Sequence, residues 1–197
     1  SHANQLLQEE IEDSDSQLLL KIVADNVERL DQMVKDVLEL NRRDRTRQET
    51  IVLEEFLREF HEQFCETEKI LPVCFKLEVG RSTTCVSFDR RHLNQILWNV
   101  CRNGWRHSKQ KVGSLVLSLR ASLNSRSLRL EIADDGGGVK PEDRGHLFEP
   151  FFTTESTGTG LGLYIARELC EANDATIQYV APESGSLFLI HLKKVPI

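Results

Sequence analysis

Apolar residues return along this chain with two different periods, one after the other. Val23, Val27, Leu30, Val34 and Val37 recur at spacings of four and three, and Ile22, Met33, Leu38 and Leu40 widen the stripe they make. Such spacing marks one face of an α-helix. From Ser1 to Arg43 there is neither glycine nor proline, and the polar run Glu12-Asp13-Ser14-Asp15-Ser16 predicts a turn with a fresh N-cap. A short helix followed by a long one is the expectation. A stripe this wide must pack on the rest of the chain, on the first helix or on another chain, and a helical hairpin that dimerises into a four-helix bundle satisfies that need. The charged stretch Asn41-Arg42-Arg43-Asp44-Arg45-Thr46-Arg47-Gln48-Glu49-Thr50 then predicts a solvated boundary.

Beyond that boundary, helical and alternating patterns take turns. Val52 to Phe64 is amphipathic, with Leu53, Phe56, Leu57, Phe60 and Phe64 on one helix face. Val73 to Val79 alternates as a strand and Thr83 to Phe88 as a shorter one. Asp89 is placed to cap a strong helix from Arg90 to His107. Leu115 to Arg120 and Leu128 to Ala133 predict an antiparallel hairpin turning near Asn124-Ser125. A helix from Leu161 to Ala172 and strands at Thr176 to Val180 and Leu187 to Leu192 complete the series. This order is neither repeated βαβ nor all-β. It predicts an α+β domain with one mixed or mostly antiparallel sheet covered on one face by three helices.

Composition narrows the function. The 197 residues are 40% hydrophobic, enough for one sizeable core and a smaller appendage. Runs such as Leu18-Leu19-Leu20 and Leu187-Phe188-Leu189-Ile190 fall far short of the roughly 20 apolar residues that cross a bilayer, so no membrane contact is expected of this stretch. Twenty-five basic against 31 acidic residues give a net charge of -6, which argues against holding nucleic acid by its phosphates. A polyanionic ligand has to be met locally. Cys65, Cys74, Cys85, Cys101 and Cys170 are odd in number, widely spaced and free of any C-x-x-C pair. Reduced, buried thiols of a cytoplasmic protein are expected, not a disulfide framework or a zinc site. No signal peptide is visible, and residue 1 reads as a point inside a longer protein.

Candidate chemistry concentrates between Asp134 and Leu163. Asp134-Asp135-Gly136-Gly137-Gly138 follows a strand, and Gly158-Thr159-Gly160-Leu161-Gly162-Leu163 opens a helix. Bare backbone and a helix N-terminus suit phosphates, and a carboxylate before the first cluster suits an adenine amino group. Between them, Leu147 to Phe152 sets phenylalanines around Glu149-Pro150, as at the base of a mobile lid, and Thr153 to Thr159 is small and polar. On the helix before, Asn99 and Asn103 are one turn apart on one face, and Arg106, His107 and Ser108 follow. Amide oxygens suited to Mg²⁺ thus lie a turn from cations suited to phosphate. Each motif alone is commonplace: a tight turn, a core aromatic, a surface amide. The second glycine cluster is neither a P-loop nor a dinucleotide fingerprint.

In this order, the motifs resemble the N box (Asn99-x-x-x-Asn103), first glycine box (Asp134-x-Gly136-x-Gly138), F box (Phe148-Glu149-Pro150-Phe151-Phe152) and second glycine box (Gly158-Thr159-Gly160-Leu161-Gly162) of sensor histidine kinases. The fold implied is the two-layer α/β sandwich ATPase domain shared with the ATP-driven heat-shock chaperone, gyrase B and MutL. Arg29-Leu30-x-x-Met33-Val34-x-Asp36-Val37-Leu38 resembles the second helix of the kinase dimerisation hairpin. The division implied is a truncated hairpin over 1–45 and a catalytic ATP-binding domain over 46–197. Leu93-Asn94-Gln95, Phe151-Phe152-Thr153-Thr154-Glu155 and Ala166-Arg167-Glu168-Leu169-Cys170-Glu171 are similar to PilS-like kinases of type IV pilus regulation, within the nitrogen-sensor-like group.

The resemblance implies ATP and Mg²⁺ as cofactors. Asn103 would bind the metal and Asn99 help position it, Arg106 and His107 would contact phosphate or ribose, and Asp134 would accept from adenine. Gly136 and Gly138 would shape the base pocket. Phe148, Phe152, Thr153 and Thr154 would carry the lid, and Gly158, Thr159, Gly160, Leu161 and Gly162 would wrap the phosphates. It also implies a response-regulator receiver as partner, a homodimer through the hairpin, and a cytoplasmic portion of a membrane-anchored bacterial sensor. Three residues depart from the family pattern: Asp135 where asparagine is frequent, Gly104 where alanine is frequent and Glu155 where many relatives carry lysine. The phosphoacceptor box H-E-x-x-N-P is absent; His2 lacks its context, and His61, His92, His146 and His191 are less plausible still. ATP binding without self-phosphorylation is therefore expected. Two other readings stay open: an ATP-driven clamp like the chaperone and MutL group, disfavoured by Asn99 where that group has a glutamate base, and a degenerate scaffold.

Overall fold

The structure, a computed structural model, describes residues 14–42, 46–80, 84–121, 127–155 and 158–195. Helix α1 (Ser14–Arg42) is one uninterrupted element that begins inside the acidic run expected to cap it. The shorter helix expected before it lies outside the described residues. Val27, Leu30 and Val34 on its apolar stripe remain 52%, 61% and 58% exposed, while Met33 reaches the core of the body.

The body is built from β1 (Glu49–Val52), α2 (Leu53–Thr67), β2 (Phe75–Glu78), β3 (Cys85–Phe88), α3 (Arg90–His107), β4 (Leu115–Ala121), β5 (Ser127–Asp134), α4 (Gly162–Glu171), β6 (Thr176–Val180) and β7 (Ser186–Val195). The strands form one mixed sheet in the order β1-β3-β7-β5-β4-β2, and β6 pairs with β7 off that path. Only β2 and β4 run parallel among these pairs. Strand β7 is long enough to hold β5 along one edge and β6 and then β3 along the other.

Two strands differ from expectation. Glu49 and Thr50, expected in a solvated boundary, pair with Phe88 and Ser87. Their side chains are exposed and only Ile51 of this edge strand is deeply buried, so its hydrophobic signal is a single residue. Strand β2 starts at Phe75 instead of Val73, because the Val73 carbonyl accepts from Gly113 N in a turn ahead of the ladder.

The core lies between sheet and helices. Phe60 and Phe64 of α2, Leu93, Ile96, Leu97 and Val100 of α3, and Ile165 and Leu169 of α4 meet Leu130, Ile132, Phe188 and Ile190 of the sheet. Period-two alternation turns Arg129 and Glu131 to the opposite face, where Glu131 pairs with both Arg129 and Arg120. All five cysteines are free, and burial pushes the Cys101 thiol up strongly and the Cys170 thiol up to about 12, which leaves both unreactive at neutral pH.

A buried polar chain fixes how α3 starts. Asp89 Oδ1 accepts from Arg91 N at 2.9 Å as the N-cap, its Oδ2 accepts from Arg47 N at 2.8 Å, and its own N donates to Asn173 Oδ1 at 2.9 Å. Asn173, just past α4, also donates to the Leu169 carbonyl at 2.8 Å and lies 3.0 Å from His92 Nδ1. Burial alone would raise the Asp89 carboxyl, but donation from Arg47 N, the Arg91 guanidinium and His92 N outweighs it and holds the group below the usual range. Arg47 ahead of β1, the start of α3 and the end of α4 are thereby one unit.

Candidate functional site

Helix α3 reaches the site with its last two turns. Gly104 is buried there against Leu115 and Asp134, and a Cβ on it would stand 3.0 Å from Leu115 Cδ1. Asn99 is engaged: its Nδ2 donates to the Gly162 carbonyl at 3.0 Å, and its Oδ1 accepts from Gln95 Nε2 at 3.2 Å. Asn103, one turn on, is half-buried and makes no side-chain hydrogen bond among the described residues. Arg106 and His107 end the helix about half exposed.

Asp134 ends β5 between Leu115 of β4 and Ser186 of β7. Burial pushes its carboxyl above the usual range, an effect partly offset by hydrogen bonds from Gly136 N and Ser186 and by the nearby His107. The Gly136 N bond to Asp134 Oδ1 is 2.9 Å long. Gly136 is required by a close approach, since a Cβ there would fall 2.2 Å from the His107 carbonyl oxygen. The first glycine cluster therefore lies directly against the end of α3. Gly138 packs on Gly185, and Val139 N donates to the Tyr179 hydroxyl at 3.1 Å.

Asp135 faces the opposite way. It accepts from Lys109 N at 2.9 Å and from the Ser114 hydroxyl at 3.1 Å, with Lys111 Nζ 4.0 Å away. These donors and charges overcome its slight burial and hold its carboxyl below the usual range. The loop from α3 to β4 is thus folded around a carboxylate.

The aromatic segment is anchored at one end. Phe148 meets Phe188 edge-on at 6.4 Å between centroids, and Phe188 in turn meets Tyr179 at 5.4 Å. Phe152 stacks at 5.7 Å on His146, which pairs with Glu149 at 2.9 Å. Phe151 points outward, 64% exposed, with φ 66°, and Gly160 (φ 69°) crosses so near that a Cβ would stand 2.4 Å from the Phe151 carbonyl carbon. The two ends of the intervening segment touch there and make a neck. Thr153 Oγ1 accepts from Glu155 N at 3.1 Å beside Gly158, Thr154 is exposed, and Thr159 Oγ1 accepts from Leu161 N at 3.3 Å. Leu161 is 1% exposed, a core anchor under the start of α4. Glu155 reaches back across the site, its Oε2 3.5 Å from Arg106 Nη1 and its Oε1 3.5 Å from His107 Nδ1.

The structure thus joins Asn99 to Gly162, Asp134 to Gly136 and Gly136 to the His107 carbonyl, with Arg106 and His107 both facing Glu155. A desolvated acceptor at Asp134, an amide at Asn103 without a partner among the described residues and backbone cradles that a Cβ would fill at Gly136 and Gly160 fit a nucleotide and a divalent cation. Residues 88–196 match the family described as histidine kinase-, DNA gyrase B- and HSP90-like ATPase. The chain belongs to that family. The sensor protein kinase PilS of Pseudomonas aeruginosa is 40% identical over 191 residues, 94% of this chain and 35% of that protein. This histidine kinase ATPase domain with its leading helix thus spans about a third of that relative. Full-length ShkA in complex with AMPPNP shares the fold with a TM-score of 0.71 at 21% identity, over 99% of this chain and 42% of that one. The histidine kinase ThkA in complex with response regulator protein TrrA gives 0.71 at 23% identity, over 98% of this chain and 55% of that one.

Within this ATPase domain the remaining histidines are occupied structurally. His61 Nε2 lies 2.6 Å from the Phe75 carbonyl, His92 meets Asn173, His146 pairs with Glu149, and His191 lies 3.0 Å from Gln178 Nε2. His2 lies outside the described residues. Sequence reasoning missed Ser186, Gly185 and Tyr179, which frame Asp134 and the first glycine box from across the sheet. The one local signal was the turn run Ser184-Gly185-Ser186 before the last strand.

Proposed function

We propose that this chain is the ATP-binding portion of a sensor kinase that passes the γ-phosphoryl of ATP to a histidine outside it, and from there to a response-regulator aspartate. The observation that carries this reading is the Asp134 carboxylate, desolvated yet held by Gly136 N and Ser186, beside cations on the last turn of α3. Bound Mg²⁺-ATP supplies the phosphoryl group and the divalent charge that neutralises it. The chain's residues bind and orient. Asp134 accepts from the adenine amino group, and Gly136 and Gly138 set the width of the base pocket. Asn103 holds the metal, and Asn99 fixes the start of α4 beside it. Arg106 and His107 meet phosphate or ribose, Gly158 to Gly162 offer backbone donors, and Phe148 and Phe152 root the lid that begins at Thr153 and Thr154.

We place the boundary between the hairpin and the ATPase domain at residues 45/46, and we assign the exposed stripe of α1 to a homodimer. The whole protein is read as a membrane-anchored sensor with this part on the cytoplasmic side; among the described residues no helix is long and apolar enough to cross a membrane. A clamp of the chaperone type needs a carboxylate base where Asn99 stands, and an amide bonded to the Gly162 carbonyl is not one.

Calorimetry with Mg²⁺ and a non-hydrolysable ATP analogue tests the reading, and no binding defeats it. If the analogue binds, radiolabelled ATP and a protein carrying the histidine helix distinguish the classes. Label on histidine supports the kinase; phosphate release without label supports the clamp.

A further inference from the structure

We propose that Glu155 is an internal competitor for the phosphate site: its carboxylate engages Arg106 and His107 and has to leave them when a nucleotide's phosphates arrive. The inference rests on the reading of Arg106 and His107 as phosphate contacts and assigns a role to a residue that reading leaves without one.

One carboxylate bridges a guanidinium and an imidazole, each oxygen 3.5 Å from a different one. Among the described residues, no other acidic side chain lies within ion-pair distance of Arg106 or His107. The carboxylate is presented by a local turn, since Glu155 N donates to Thr153 Oγ1 at 3.1 Å and Thr153 Oγ1 donates to the Glu155 carbonyl at 3.3 Å. The segment before it is rooted by Phe148 on Phe188, and the chain returns through the neck where Gly160 presses on Phe151. The acid is therefore delivered from the lid's side of the site onto the last turn of α3.

A carboxylate and a phosphate cannot share the Arg106 guanidinium and the His107 ring without like-charge repulsion at van der Waals distance. Nucleotide binding then becomes an exchange of one anion for another, where a lysine at this position would instead add a cation to the phosphates. All three side chains are between 31% and 50% exposed, so solvent screens the pairs and the latch is weak enough to open. Its effect is a lowered affinity for nucleotide and a lid segment held near the site before any ligand is present.

The test uses Glu155→Gln, with Glu149→Gln as the control that removes the same charge from the same segment. Titrations with adenosine, ADP and a non-hydrolysable ATP analogue are followed by calorimetry at low and high salt. The expected result is about three- to tenfold tighter ADP and analogue binding in Glu155→Gln, unchanged adenosine binding, and no gain in Glu149→Gln. The affinity of the variant also falls more steeply with salt than that of the wild type, because its cations start out unpaired. Unchanged or weaker analogue binding in Glu155→Gln overturns the proposal, as does an equal gain in Glu149→Gln or an equal gain for adenosine. If neither wild type nor variant binds any nucleotide, the phosphate-site reading itself falls and takes the proposal with it.

Discussion

Asn99 Nδ2 donates to the Gly162 carbonyl at 3.0 Å, so the amide one turn before Asn103 is spent on joining α3 to the first turn of α4. This bond ties the N box to the second glycine box. Asn99→Ala is expected to cost about 1–3 kcal/mol of stability, because a half-buried carbonyl loses a donor. Asn103→Ala, whose amide makes no bond among the described residues, is expected to leave stability within about 0.5 kcal/mol and to weaken the ATP analogue only when Mg²⁺ is present. Urea unfolding and calorimetry with and without Mg²⁺ separate the two. Equal loss of stability in both variants contradicts the division of labour.

On the proposed reading, base selection falls to Asp134. Asp134→Ala is expected to erase the preference for ATP over GTP, and equal affinity for both in the wild type sinks the assignment. The same carboxyl carries a pH signature. Its folded pKa is raised, so the folded state binds its proton more readily, and stability is gained as pH falls through the folded pKa toward the ordinary value of about 3.9. Relative to Asp134→Asn, the wild type should therefore be least stable near neutrality and close the gap on acidification, as measured by urea midpoints across that window.

Asp89 behaves in the opposite sense. Its pKa is depressed in the folded chain, so its contribution is complete above about pH 4 and is lost as pH falls through the folded pKa. Asp89→Ala removes a helix cap and leaves the Arg47 and Arg91 amides short of an acceptor, an expected loss of about 2–4 kcal/mol at neutral pH. The variant's urea midpoint should be less sensitive to acid than that of the wild type; a parallel acid response rules the mechanism out.

Adjacent glycines should answer differently to one methyl group. In Gly136→Ala the new Cβ collides with the His107 carbonyl, so the turn must move away from α3, with a loss of at least about 2 kcal/mol and of detectable analogue binding. Gly137 has no atom within 4 Å of its Cβ position, and Gly137→Ala is expected to bind within about twofold of wild type. Thermal melts and calorimetry on the pair read this directly.

Much of this was legible in the sequence where local signals were strong. Helix α3 ends where its periodicity ends and begins where Asp89 caps it, so both boundaries were readable. Strand β1 was not, because a polar edge strand with one buried residue has no alternation to detect. The glycine boxes and paired amides were visible as motifs, but their partners were not. Ser186 comes to Asp134 through the pairing register of β5 with β7, across fifty residues of chain that no local pattern spans. Glu155 registered as a departure from the family pattern, and its meeting with Arg106 and His107 depends on how the segment after Phe152 doubles back.

The bond from Arg47 N to Asp89 has a mechanical side. It sits where the connector after α1 enters the sheet, and the carboxylate it engages is also the cap of the helix that carries Asn99, Asn103, Arg106 and His107. A pull on the backbone at Arg47 is therefore shared between the root of α3 and, through Asn173, the far end of α4, so the two helices turn about one fulcrum.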